Sequence, residues 1–188
     1  MIVYYINLAH RTDRREQIEK ELERSPWPVQ RVEAVHVPDY GIVGCGLSHI
    51  KTLRLFLESP HDHCIIFEDD FQFTRPLEEL SVPEVEWDVV MLGGNVLSQG
   101  PYTRELNQVY DAQTTSGYMI TKNFAKILLE NMEEGVALLQ RTRNRIYSLD
   151  IYWKKLQPMS RWYIFNPKFG KQRPSYSDIE QCAADYGV

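Results

Sequence analysis

The chain has 188 residues, 43% hydrophobic and 25% charged, which predicts one domain spanning residues 1–188 around one core. Its formal charge of −5 argues against a general nucleic-acid surface, and no apolar run is long enough to cross a bilayer. Three cysteines, Cys45, Cys64 and Cys182, form no CxxC pair and point to a reducing compartment without structural zinc.

Residues 2 to 8 read as a first, central strand rich in β-formers, turning polar at Asn7 and charged at Arg11. That opening is too short for a signal peptide and lacks its basic start, so a cytoplasmic protein is expected, free or docked at the cytosolic face of a membrane. Asp13 is placed to cap a helix, with Glu16 completing a capping box, and Ser25-Pro26-Trp27-Pro28 ends it. A short strand at 31–35 and a turn at Pro38-Asp39-Tyr40-Gly41 precede a helix from about Cys45 to Leu57. The run His63-Cys64-Ile65-Ile66-Phe67 is a buried strand, and Phe71-Gln72-Phe73 can extend it. Trp87 to Leu92 is another strand, halted by Gly93-Gly94. The stretch from Asn95 to Thr114 has weak periodicity and reads as a long excursion over the active face. Then come a strand near 117–120, a helix from Lys122 to about Met132 capped by Thr121, and a second helix over 133–142. Ser148 can cap a short helix, and Trp162-Tyr163-Ile164-Phe165 is the last good strand. Strands alternating with helices predict an α/β fold with a mostly parallel central sheet.

The chemistry concentrates in Glu68-Asp69-Asp70, directly after the apolar strand. Three adjacent carboxylates at a strand end repel one another, and burying them unpaired costs several kcal/mol. A divalent cation removes that cost, and carboxylate oxygens suit Mg²⁺ or Mn²⁺. Strand C-termini are also where α/β folds bind ligands. Asp70 is the first choice for direct metal contact, with Glu68 beside it and Asp69 on the nucleotide side, the roles of the two aspartates being exchangeable. Arg11, Arg14 and Arg15 follow the first strand; with Asp13 as cap, Arg14 and Arg15 occupy the first helical turn and oppose the dipole, a cost that bound phosphate offsets, and Arg11 and Arg14 are the candidates for phosphate or nucleotide contact. Cys45 and His49 lie one helical turn apart, but no third Cys or His has matching spacing, so His49 reads as a helix-face residue that hydrogen-bonds a loop or ligand. The glycine-rich run Gly41–Gly46 is neither a P-loop nor a Rossmann fingerprint and reads as a loop passing close to a ligand or strand. Asp150, at a helix start, is either a dipole-stabilised structural residue or a second carboxylate able to deprotonate a hydroxyl. Eleven tyrosines and four tryptophans offer sugar-stacking surfaces or core.

In order and spacing these residues resemble glycosyltransferase family 25, the lipooligosaccharide and collagen galactosyltransferases. The resemblance starts at Tyr5-Ile6-Asn7-Leu8 with Arg11, Asp13, Arg14 and Arg15. It continues through Gly41–His49 and Ile66–Asp70, then Trp87-Asp88 with Leu92-Gly93, and Gly117–Ile120. It closes with Asp150, Gln172, Ser175 and the pair Asp178-Ile179. Two positions depart from the family pattern: Ala9 stands where an aspartate is common, and Ile42 where an acidic residue is common.

The resemblance implies a GT-A-like nucleotide-sugar-binding fold and inverting, metal-dependent transfer of galactose or glucose. The donor would be UDP-galactose or UDP-glucose, and the acceptor a saccharide or hydroxylated peptide. Mn²⁺ or Mg²⁺ would be held by Asp70 and Glu68. Donor contacts would come from Tyr5, Asn7, Leu8, Arg11, Arg14, His49, Glu68 and Asp69, with Gly93 and Asn95 on the sugar side and Asp150 as the base. The rival readings are a metal-dependent phosphohydrolase using the same carboxylates and a non-catalytic carbohydrate- or nucleotide-binding module.

Overall fold

The computed structural model describes residues 1–177, 182–184 and 187. In chain order the elements begin with β1 (Ile2–Asn7), α1 (Thr12–Leu22), β2 (Val29–Glu33), α2 (Gly41–Glu58), β3 (His63–Glu68) and β4 (Phe71–Phe73). They continue with β5 (Val89–Met91), β6 (Asn95–Pro101), β7 (Leu106–Gln113), β8 (Gly117–Thr121), α3 (Lys122–Thr142) and α4 (Leu149–Tyr152). A 3₁₀ stretch over Trp153–Met159 leads to β9 (Trp162–Phe165), β10 (Gly170–Gln172), β11 (Ser175–Ser177) and β12 (Cys182–Ala184).

Eight strands form one sheet in the order β2-β1-β3-β8-β5-β9-β7-β6. β1 pairs in parallel with both β2 and β3, and β5 with β9, whereas β7 and β8 pair antiparallel with each of their neighbours. All but those two therefore point one way, the mostly parallel α/β sheet the sequence predicts. Strand alternation sends successive side chains to opposite faces. Tyr4, Ile6, Cys64, Ile66, Tyr118 and Ile120 pack with Ile50, Leu53 and Phe56 of α2 and Leu128 and Met132 of α3. Val3, Tyr5, Ile65, Phe67 and Met119 pack on the other face with Ile18 and Leu22 of α1 and with Phe71.

Several local expectations need correction. Helix α1 begins after Arg11, which makes no side-chain capping bond; Asp13 lies in the first turn, paired with Arg11. The glycine-rich run is the first turns of α2, not a loop. Its Gly44 is nonetheless required by a close approach, because a Cβ there would sit 2.6 Å from the Val35 carbonyl oxygen. Residues 122–142 are one continuous helix, with Thr121 accepting the Phe124 N–H as its cap. Gly135 does not break it, and a Cβ at that position would meet the Tyr152 ring at 2.7 Å. Ser148 precedes α4 but bonds back to the Arg145 carbonyl instead of capping. The excursion expected over 95–114 is the β6–β7 hairpin, which carries the sheet to its far edge. Exposed Leu97 and Tyr110 interrupt its apolar pattern, which is why it does not read as strand.

Candidate active site

Because β1, β2 and β3 are mutually parallel, their C-terminal ends share one rim of the sheet, where α/β folds place their ligand crevices. A pocket of about 310 Å³ opens there. Its floor is Glu68, Asp69 and Asp70; α2 supplies Cys45, Ser48 and His49; the segment following β2, Arg14, Gln172 and Tyr176 complete the wall.

The acidic run stops being strand at Glu68, so its three side chains do not alternate as a strand would dictate. Glu68 turns toward α2. Its Oε1 lies 3.2 Å from His49 Nε2 and accepts the Thr115 hydroxyl at 2.5 Å. Asp69 and Asp70 turn toward α1 and share one guanidinium group: Arg14 Nη1 is 3.0 Å from Asp69 Oδ1 and 3.2 Å from Asp70 Oδ2. Asn7 Nδ2 donates to Asp69 at 2.7 Å, and Gln172 Nε2 to Asp70 at 3.1 Å. The other oxygen of Asp70, Oδ1, is buried without a hydrogen-bonding partner, as is Arg14 Nε.

Charge state follows from these surroundings. Burial, reinforced by the charges of Glu68 and Asp69, pushes the Asp70 carboxyl up to about 7, against the pull of Arg14 and Gln172. Burial also raises Asp69, although Arg14 and Asn7 draw it down. Glu68 goes the other way. Burial works to raise it, but His49, Thr115 and Arg14 together hold it below the usual range. One carboxylate is thus satisfied by the hydrogen bonds of His49 and Thr115, while its neighbour is short of positive charge.

The remaining predicted residues divide. Leu8 lines the pocket and Asn7, buried, fixes Asp69 from beneath. His49 is fully buried, with Nδ1 3.0 Å from the Tyr118 hydroxyl, so it braces Glu68 against the sheet. Arg11 pairs with Asp13 and donates to the Tyr176 carbonyl, and Arg14 also reaches Ser175 and Tyr176, so both arginines hold the C-terminal segment against the rim. Tyr5 is not part of the pocket: alternation turns its ring into the core beside Ile18, and its hydroxyl bonds Glu19 at 2.5 Å. Gly93 and Asn95 lie outside the lining too. Gly93 is packed where a Cβ would sit 2.7 Å from the Gly170 carbonyl, and Asn95 opens β6. Asp150 does not line the pocket, yet it faces the same charges. Burial raises its carboxyl, helped by Glu68, while its Oδ2 accepts the Thr114 N–H at 3.2 Å. Thr114 itself has φ +80°, an uncommon backbone state for a β-branched residue. Asp178 and Ile179 lie outside the described residues.

Sequence reasoning missed Thr115 and Tyr118 as site residues. Both matter because β8 runs antiparallel beside β3, which brings the start of β8 to the end of β3. The polar pair Thr115-Ser116, buried before an apolar strand, is the one local signal of that role.

No protein-family model matches the chain. Procollagen galactosyltransferase 1-A of Xenopus laevis is 28% identical over 178 residues, covering 73% of this chain and 29% of that protein. Procollagen galactosyltransferase 1-B of the same organism is 26% identical over 168 residues, covering 68% of this chain and 28% of the relative. The chain thus spans less than a third of the length of these curated relatives. Among solved structures, a glycosyltransferase involved in glycosylation of the major capsid of PBCV-1 superposes with a TM-score of 0.62 at 8% identity, over 96% of this chain and 95% of that one. The glycosyltransferase GlyE of Streptococcus pneumoniae TIGR4 gives 0.53 at 10% identity, over 87% of this chain and 44% of the other. The chain therefore has the GT-A glycosyltransferase fold, and its sequence resemblance to glycosyltransferase family 25 holds in its curated relatives.

Proposed function

We propose that this chain is an inverting, metal-dependent glycosyltransferase that moves galactose or glucose from a UDP-sugar to a hydroxyl of a glycan or hydroxylated peptide. The observation that carries the reading is the buried, unpartnered Oδ1 of Asp70 at the floor of the rim pocket, on a carboxyl raised to about 7 by burial and its neighbours. Such an atom is costly unless a cation completes it. Asp70, with Glu68 beside it, would hold Mn²⁺ or Mg²⁺, which suits an all-oxygen donor pair. When bound, the metal offsets the charge that accumulates on UDP as it departs.

The chain's own groups would do the rest. Asp69, kept in place by Asn7 and Arg14, faces the nucleotide, and Leu8 gives it an apolar surface. Arg14 lines the pocket, and Arg11 lies behind it against Asp13 and the Tyr176 carbonyl; the diphosphate of a donor would draw on their charge. Asp150 would take the acceptor proton while the new C–O bond forms at the anomeric carbon and the bond to UDP breaks on the opposite face. Burial makes it a stronger base than an exposed aspartate, which favours that role. The expectation of cytoplasmic residence remains part of this proposal; among the described residues no helix is long and apolar enough to cross a membrane.

The test is a donor screen with purified protein, Mn²⁺ and a mixed acceptor library, reading the anomeric configuration of the product by NMR. Acceptor-dependent release of UDP with inverted linkage is expected. Nucleotide hydrolysis that ignores the acceptor would favour a phosphohydrolase, and UDP-sugar binding without turnover would favour a binding module.

A further inference from the structure

Among the described residues, the group of three metal-ligating side chains whose donor atoms all lie within 4.8 Å of one another is Cys45, His49 and Glu68, not the acidic triplet. Read alone, the sequence offers Cys45 and His49 one helical turn apart and no third ligand. The fold supplies it, because the C-terminus of β3 ends beneath that face of α2.

We propose that Cys45, His49 and Glu68 form a second cation site, for a thiophilic divalent ion of the Zn²⁺ class, which shares Glu68 with the hard-ion position at Asp70. Three features carry it. The first is geometry: His49 Nε2 and Glu68 Oε1 are 3.2 Å apart, close to the edge of about 3.4 Å that tetrahedral zinc with ordinary Zn–N and Zn–O lengths requires. Cys45 Sγ must close to about 3.6 Å from those atoms, a shift of roughly an ångström from the outer limit of the cluster. The second is support behind the ligands. Tyr118 holds His49 Nδ1 and Thr115 holds Glu68, the outer bonds that orient a metal-ligating imidazole and carboxylate. In the ion-bound state Nδ1 donates to the Tyr118 oxygen, which frees Nε2 from its bond to Glu68 and turns its lone pair to the ion. The third is access: all three side chains line the pocket, so three protein ligands leave a fourth position facing its interior.

The donor set selects the ion. A thiolate and an imidazole favour zinc, cobalt or cadmium over Mg²⁺, Mn²⁺ or Ca²⁺, whereas Asp70 offers oxygen alone. Binding releases the Cys45 thiol proton to solvent, and the resulting thiolate and the Glu68 carboxylate together balance the two charges of the ion. The site claims Glu68 for itself and so antagonises any hard ion that draws on that carboxylate.

Cobalt(II) is the probe. Titrated into the full chain carrying Cys182→Ser, which removes the exposed thiol, it should give a thiolate-to-cobalt charge-transfer band and tetrahedral d–d bands at one equivalent, and Zn²⁺ should displace it. Cys45→Ser should abolish the charge-transfer band. His49→Gln should weaken cobalt binding by about 10-fold or more. Asp70→Asn should leave the band intact. Circular dichroism checks that each variant folds, and Glu68→Gln replaces His49→Gln if the latter does not. No thiolate band at saturating cobalt, or a band that survives Cys45→Ser, overturns the proposal.

Discussion

Asp88 and Asp70 are both aspartates at strand ends of the central sheet, both facing an arginine, and they are held in opposite ways. Asp88 precedes β5, at the N-terminal end of an interior strand and so on the rim opposite the pocket. Arg161 meets both its oxygens, with Nη2 2.8 Å from Oδ1 and Nε 3.1 Å from Oδ2, and the Arg161 N–H adds a third bond at 2.9 Å. Burial works to raise its carboxyl, but these contacts outweigh it and leave it below the usual range. Asp70 shares its arginine with Asp69, keeps one oxygen unpartnered and is raised to about 7. Arg161 also reaches Glu86, but that carboxylate is 87% exposed and solvated by water, so the guanidinium serves Asp88 as a structural clamp. One guanidinium for two carboxylates, beside a third, leaves negative charge that a cation from outside can complete.

The largest effect that would test this contrast comes from the arginines. Arg14→Ala leaves Asp69 and Asp70 buried without their counter-ion and should cost about 3–5 kcal/mol of stability at neutral pH. Part of that loss should return on adding Mn²⁺, as read by urea unfolding with and without the ion. Arg161→Ala, whose side chain is 47% exposed, should cost about 1 kcal/mol or less and show no response to Mn²⁺. Equal losses in the two variants would erase the difference between the regions.

Asp70→Asn should remove most metal-dependent UDP affinity, measured calorimetrically with and without Mn²⁺, and lower transfer by about 10²-fold or more. Unchanged binding and turnover would move the metal away from this carboxylate. Asp150→Asn should leave UDP and metal binding intact while slowing single-turnover transfer by about 10²-fold. Loss of UDP–metal binding in that variant would put Asp150 on the donor side instead. The smallest effect belongs to the clamp. Asp88→Asn should cost about 1 kcal/mol at neutral pH, discounted for the exposure of Arg161. Because the folded carboxyl lies below its unfolded value, that contribution is present above about pH 4 and fades as the pH falls through the folded pKa. Stability curves of wild type and variant should therefore converge in acid; a gap of constant size would show that the pair contributes through packing alone.

What the sequence determined by itself is local or periodic. The β-branched and aromatic runs at 2–6, 63–67 and 162–165 are strands, and the acidic run lies at a strand end on the pocket rim. Thr121 is a cap because its side chain answers an N–H three residues on, and Arg14 lies in a first turn because the helix starts nearby. Those outcomes depend on neighbours within a turn or two, so spacing reveals them. Direction and partnership across the sheet are different. That β8 runs antiparallel beside β3 decides that Thr115 and Tyr118 meet Glu68 and His49, and no local pattern encodes it. The same holds for Arg14. Its position in the helix is legible, but its choice of Asp69 and Asp70 follows from the parallel pairing of β1 with β3, which sets α1 beside the acidic turn. The alternation that buries Tyr5 away from the pocket and sends Ile6 to its wall depends on which face meets which helix. Only the assembled sheet settles that, because both faces of these strands are buried and their polar residues, Asn7 of β1 and His63 and Glu68 of β3, stand only at the strand ends.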